Sequence, residues 1–273
     1  MHYPDRSSLS RRSVLGVGAM LGLSPVLPAA AGVLRGTRSR SDDSLAHFPQ
    51  QHPDLVSATV GASHGNFDRV RELVTAHPTL ANAAWDWGFG DWETALGAAS
   101  HVGNREIALF LIEHGARPDL FTFAMLGHLS AVRAMIEARN GIQRIHGPHG
   151  ITLLAHARAG RDAAREVYDY LQTIEGADEP APSQPISAEE LTRYTGAYRV
   201  VDHNFTINIT ESRGRLMLQR EELSGRVLFR RDGHIFFPAG APHVRIEFEI
   251  GGDALPSSVT VRDHDLVVVG RRE

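Results

Sequence analysis

One pattern recurs along the first two thirds of this chain, and it constrains the fold more than any other feature. The segment G-N-F-D-R-V-R-E-L-V (Gly65–Val74) matches G-N-R-E-I-A-L-F-L-I (Gly103–Ile112), and both match G-H-L-S-A-V-R-A-M-I (Gly127–Ile136). Each copy opens on Gly and a polar residue, then sets apolar residues at helical spacing. In the second copy Ile107, Phe110 and Leu111 stand at i, i+3 and i+4, one helical stripe. Leu73/Val74 and Met135/Ile136 are the equivalents, and a fourth copy starts at G-I-T-L-L-A-H-A (Gly150–Ala157). A single helix pair has too little apolar surface for a core. Several copies stacked side by side make one continuous core, so self-similarity at this period predicts a helical array.

The second copy also carries T-A-L-G-A-A-S (Thr94–Ser100) and closes on Gly115-Ala116. With Thr94, Leu96, Ala99, Gly103, Leu111, Gly115 and Ala116 in place, and Thr152, Leu154, Ala157 and Gly160 in the fourth copy, residues 54–178 resemble the ankyrin repeat. Ala95 and Leu153 stand where that family usually has Pro, and Gly97 and Ala155 where it has His. The resemblance implies an α-helical solenoid that docks another protein on its surface.

All three Trp lie in W-D-W-G-F-G-D-W (Trp85–Trp92), with Phe89 among them, in the connection between the first two copies. Two roles are open to this finger. Trp85, Trp87, Phe89 and Trp92 are the candidate partner-binding residues, since Trp is enriched in binding hot spots. Alternatively, the rings fold back over the end of the stack, because exposed aromatic surface is costly without a partner.

After a Pro/Ala-rich linker (179–186) the period changes to two. N-F-T-I-N-I-T (Asn204–Thr210) places Phe205, Ile207 and Ile209 on one face. G-R-L-M-L-Q-R, R-V-L-F-R-R, H-I-F-F-P, H-V-R-I-E-F-E-I, S-V-T-V-R and D-L-V-V-V follow, separated by turn residues. Short alternating strands at regular spacing predict an antiparallel sandwich or closed barrel over residues 187–273. A helix from Ser187, with Glu190 at the third position of a capping box, opens it. Leu191, Tyr194, Gly196 and Tyr198 form L-x-x-Y-x-G-x-Y, which resembles the small non-catalytic β domain appended to penicillin-binding-like hydrolases. The whole is expected to be an α+β multidomain chain, a helical solenoid followed by a small antiparallel β domain.

At the N-terminus S-R-R-S-V-L-G (Ser10–Gly16) precedes an apolar stretch broken by Gly and Pro and ending in small residues near Ala31. This resembles a twin-arginine export signal, so residues 1–31 are expected to be removed and the protein to be periplasmic or secreted. Residues 32–53 read as a flexible leader.

Composition narrows the chemistry. The chain has no Cys, and all 28 basic residues are Arg. Disulfides, thiolate metal sites, Schiff bases and a P-loop Lys are therefore excluded. A net charge of −4 does not suit a general nucleic-acid binder. G-A-S-H-G (Gly61–Gly65) has the letters of a nucleophile elbow but lacks the strand–turn–helix setting, so Ser63 is expected to be inert. His64 and His101 occupy the same repeat position, in A-S-H, and are expected to pack or hydrogen-bond between helices. H-G-P-H-G (His146–Gly150) reads as a turn; as metal ligands its two His would need further ligands from elsewhere, with His156 and Asp162 the nearest in sequence. On this reading no catalytic residue, metal ligand or cofactor is assigned. The expected function is a non-catalytic protein–protein scaffold. The alternatives are a small-ligand binder built on the β domain (lipids or cell-wall fragments) and, with least support, a hydrolase.

Overall fold

The computed structural model describes residues 47–273, except positions 222 and 253. The expected signal and most of the leader lie outside the described residues. From Pro53 the chain forms four helix pairs: α1 (Pro53–Ala62) with α2 (Phe67–Ala76), α3 (Ala95–His101) with α4 (Arg105–Glu113), α5 (Leu120–Leu126) with α6 (Leu129–Ala138), and α7 (Leu153–Ala159) with α8 (Arg165–Gln172). A short hairpin, β1 (Ala84–Asp86) and β2 (Trp92–Thr94), separates the first two pairs. Helix α9 (Ala188–Tyr194) then leads into strands β3 (Gly196–Val200), β4 (Phe205–Ser212), β5 (Arg215–Arg220), β6 (Arg226–Asp232), β7 (Ile235–Pro238), β8 (Arg245–Glu249), β9 (Ser258–Asp263) and β10 (Leu266–Arg272).

The helix boundaries follow from capping chemistry. Side chains of Asn66, Thr94, Asn104, Asp119 and Thr152 each accept a backbone N–H three residues on, which satisfies a donor that the helix itself cannot. Ser187 and Glu190 form the reciprocal capping box of α9. The first helix of each pair packs on the first helix of the next. Of the predicted stripe, Ile107 and Leu111 are buried and Phe110 only partly; with Leu73 and Val74 they join Leu96, Ala98 and Ala99 in one core, and Val132, Leu153, Leu154, Val167 and Leu171 belong to a second. Met135 and Ile136 are only partly buried, and Val132 is the one buried residue of α6, so the third pair is held mainly through α5.

The inter-helix glycines fix how closely the pairs stack. Gly103 has φ +75°, and a Cβ there would lie 2.1 Å from the Ala159 carbonyl oxygen of the fourth pair. Only a residue with no side chain permits both the left-handed turn and that approach.

Strands β3 to β10 close an eight-stranded barrel in which every neighbouring pair is antiparallel. Period two decides what points inward: Phe205, Ile207 and Ile209 of β4 are buried, while the intervening Thr206, Asn208 and Thr210 face outward. The strand absent from the sequence reading is β3, which closes the barrel against β10. It begins in the L-x-x-Y-x-G-x-Y motif, and the motif acts as a plug. Leu191 and Tyr194 of α9 and Tyr198 of β3 are buried among Phe236, Phe248, Ile246 and Val259. The Tyr198 hydroxyl donates to the Tyr194 carbonyl (2.9 Å). Side chains thus fill the interior, as in other barrels of this strand number.

Candidate metal centre

The tryptophan finger folds inward. Trp85 and Trp87 pack, half-buried, on the core of the first two helix pairs, whereas Phe89 packs on the barrel core. Trp92 alone of the four stays open, at 64 % exposure. The finger is therefore the place where helical part and barrel meet. Its polar residues, Asp91 and Glu93, are buried there.

Glu93 has no exposed surface on its side chain. A buried carboxylate must be paired, because removing it from water costs several kcal/mol at least. Among the described residues its charged partners are three imidazoles. His101 Nε2 lies 2.9 Å and His149 Nε2 3.4 Å from Glu93 Oε1, and His64 Nε2 lies 3.5 Å from Oε2. The four ligand atoms all fall within 4.8 Å of one another. Two of them, Glu93 Oε1 and His101 Nε2, are buried without a hydrogen-bond partner, although only 2.9 Å separates them.

Each ligand is held by its own local structure. His64 follows α1, and its Nδ1 meets the Gly61 carbonyl at 3.1 Å. His101 is the last residue of α3, one repeat further on, and stacking of the two repeats brings the rings to 5.0 Å. Glu93 sits on β2, just before the Thr94 cap, and the Trp87 indole donates to its Oε2 (2.7 Å). That bond occupies one carboxylate oxygen and leaves Oε1 free to ligate. His149 lies in the G-P-H-G turn with φ +61°, a conformation costly for a residue with a side chain. Asp91 holds it there: His149 donates from its backbone N–H to Oδ1 (2.9 Å) and from Nδ1 to Oδ2 (2.7 Å). A carboxylate on the far nitrogen of a ligating imidazole is the usual outer support of a metal-bound His.

Burial opposes charge on both partners, yet the pairing wins. Burial would raise Glu93, but His101 and His149 bring it down to about 2. Burial would likewise lower His149, but hydrogen bonds and charge from Asp91 and Glu93 lift it to about 9. Without a metal ion, then, a proton on His149 supplies the compensating charge. Its folded value exceeds the unfolded value of about 6.5, so this contribution is complete below about 6.5 and is lost as pH rises through about 9. In chelator, the protein is expected to melt at a lower temperature at pH 9.5 than at pH 6.5, and His149→Gln to reduce that difference. An equal drop in both proteins would place the titration elsewhere.

The donor set fits a first-row divalent ion. Ligands roughly 2.0–2.2 Å from zinc lie about 3.3–3.6 Å apart in a tetrahedron; the three Glu93–imidazole distances run from 2.9 to 3.5 Å, and the four donor atoms lie within 4.8 Å of one another. Imidazole and carboxylate without thiolate suit zinc, iron, manganese or nickel rather than copper(I). A second grouping joins Asp263 and His264 of the β9–β10 turn to His243, just before β8, but His264 is 76 % and His243 48 % exposed. Its carboxylate is already satisfied by His264 Nδ1 at 2.8 Å and it lacks a buried charge that calls for an ion.

The sequence reading gave His64 and His101 a packing role and left His149 in a turn short of ligands. The structure supplies what was missing through Glu93. The two residues considered with that turn go elsewhere: Asp162 is exposed, and His156 is fully buried with Nδ1 on the Thr152 carbonyl (2.8 Å), where burial lowers it to about 4. Ser63 is buried and donates to the Thr59 carbonyl (2.8 Å), inside the end of α1. No protein-family model matches this sequence, and comparison with curated proteins gives no match.

Proposed function

We propose that this protein is an exported, ankyrin-type interaction scaffold stiffened by one structural divalent metal ion, zinc in first place, bound by His64, Glu93, His101 and His149. The observation that carries the metal reading is a fully buried carboxylate whose only charged partners, among the described residues, are three imidazoles aimed at it by Nε2. Four protein ligands make a closed site, the type that stabilises folds, whereas catalytic zinc keeps a position open for water. Such an ion ties together the turn after α1, the end of α3 and the turn before α7. It locks the first, second and fourth helix pairs against one another. The helix-capping Thr94 and Thr152 and the close-packed glycine turns support the ankyrin reading.

Titrating the ion-free full chain with zinc tests this. One equivalent is expected to bind tightly and to raise the melting temperature by mass action, by about 4 kcal/mol of stability at a thousand times Kd. The double variant His101→Ala/His149→Ala is expected to show neither effect. Equal binding by both proteins would remove the site.

Docking of another protein is favoured separately by Trp92, the one large ring of the finger left open, at 64 % exposure. A photo-crosslinker at position 92 is expected to give one defined adduct in the exported compartment, competed away by unlabelled protein. A diffuse smear would count against this docking site.

A further inference from the structure

The barrel does more than sit beside this centre. Arg226, on β6, is buried and reaches out of the barrel to Asp91, pairing with the same Oδ2 that accepts from the His149 ring. Its guanidinium also donates to the Ala239 carbonyl (2.7 Å), which anchors it to the loop after β7. That loop presses on the finger. A Cβ on Gly240 would fall 2.5 Å from the Asp91 carboxylate, and one on Gly150, next to His149, would come within 3.3 Å of the Gly240 nitrogen. Phe89 closes the same junction from the other side by packing on the barrel core.

We propose that Arg226 is a positioning residue for the metal centre: it holds Asp91 against His149, so ion binding and docking of the barrel on the helices form one linked equilibrium. The inference rests on the metal reading above. It follows from the chain of contacts Glu93–His149–Asp91–Arg226–Ala239, which runs from the ion's ligands into the barrel without a gap. Asp91 alone is a carboxylate on a finger. Pinned by a guanidinium and walled in by Gly240, it has one orientation, and so has the imidazole it supports. Outer-shell partners of this kind typically change metal affinity 10–100-fold when removed. Linkage is reciprocal, so the ion must tighten the barrel's docking by the same factor that the docked barrel tightens the ion.

The test compares full-length wild type, Arg226→Gln, Arg226→Lys and Asp91→Asn, each shown to melt cooperatively in chelator. Zinc affinity is measured by competition with a chelator, and cobalt(II) absorption reports ligand geometry. Arg226→Gln and Asp91→Asn are expected to lose about 10–100-fold in affinity with an altered cobalt spectrum, and Arg226→Lys to recover part of it. Arg262→Gln, which removes a surface pair with Glu247 on the same barrel, is expected to bind as wild type. Hydrogen exchange gives the reciprocal readout: zinc should slow exchange in peptides covering Phe236–Ala241 in wild type and not in Arg226→Gln. If Arg226→Gln does not fold, Asp91→Asn carries the decision. Wild-type affinity and spectrum in Asp91→Asn or Arg226→Gln would overturn the linkage while leaving the metal site intact. Failure of wild type itself to bind zinc would instead remove the metal reading.

Discussion

Glu93→Gln is expected to cut zinc affinity by at least about 100-fold, equivalent to roughly 2.7 kcal/mol. The substitution keeps the shape of the side chain and an oxygen for the Trp87 indole, and it takes away the only anionic ligand. Three imidazoles remain, a set that still binds zinc but with an open position, so a steep fall rather than complete loss is the expected result. The ion-free form should behave differently. There Glu93 is a buried charge offset by a protonated His149 and the neighbouring rings. Neutralising it removes one partner of a buried pair, but His149 keeps the Asp91 carboxylate as counter-charge, so the loss should stay below the about 3–5 kcal/mol of an uncompensated buried charge. Affinity measured by chelator competition and melting measured in chelator therefore separate the two roles. A variant that loses both in step would mean that Glu93 serves packing alone.

Gly103→Ala is expected to destabilise the protein by about 2–4 kcal/mol, and Gly115→Ala by about 1–2 kcal/mol. Both glycines have positive φ, so both variants carry the conformational cost of a left-handed residue. They differ in what a methyl group would meet. At Gly103 it would strike the Ala159 backbone carbonyl at 2.1 Å, which cannot turn aside as a side chain would. At Gly115 nothing lies within 4 Å. The difference between the two variants in denaturant melts thus measures the close approach of the second and fourth pairs. Equal losses would mean that the pairs are not packed through this turn.

The same two glycines show what was legible beforehand. Their places in the repeat are local signals, because a left-handed turn involves only a few neighbouring residues. Strand β4 could be read for the same reason: Phe205, Ile207 and Ile209 alternate cleanly with polar residues. Strand β3 could not, since it starts Gly-Ala and offers only Tyr198 and Val200 as an alternating apolar pair. The finger was legible as an oddity of composition but not in direction. Whether Phe89 covers the array or the barrel depends on how the two dock, and no local pattern encodes that.

The metal centre lies between these extremes. His64 and His101 repeat in the same A-S-H setting, and stacked repeats bring equivalent positions together, so half of the ligand set was visible as a pair. Glu93 and His149 carried no such mark. Glu93 precedes a helix cap, an ordinary place for an acid near a helix N-terminus. His149 reaches the site only because the fourth helix pair packs behind the second and because Asp91, pinned from the barrel, holds the G-P-H-G turn in its strained form.

Anomalous X-ray scattering at the zinc edge, from crystals grown with one equivalent of zinc, locates the ion directly. A single strong peak is expected about 2.0–2.2 Å from Nε2 of His64, His101 and His149 and from a carboxylate oxygen of Glu93. A peak confined to His243, Asp263 and His264, or none within reach of Glu93, would contradict it.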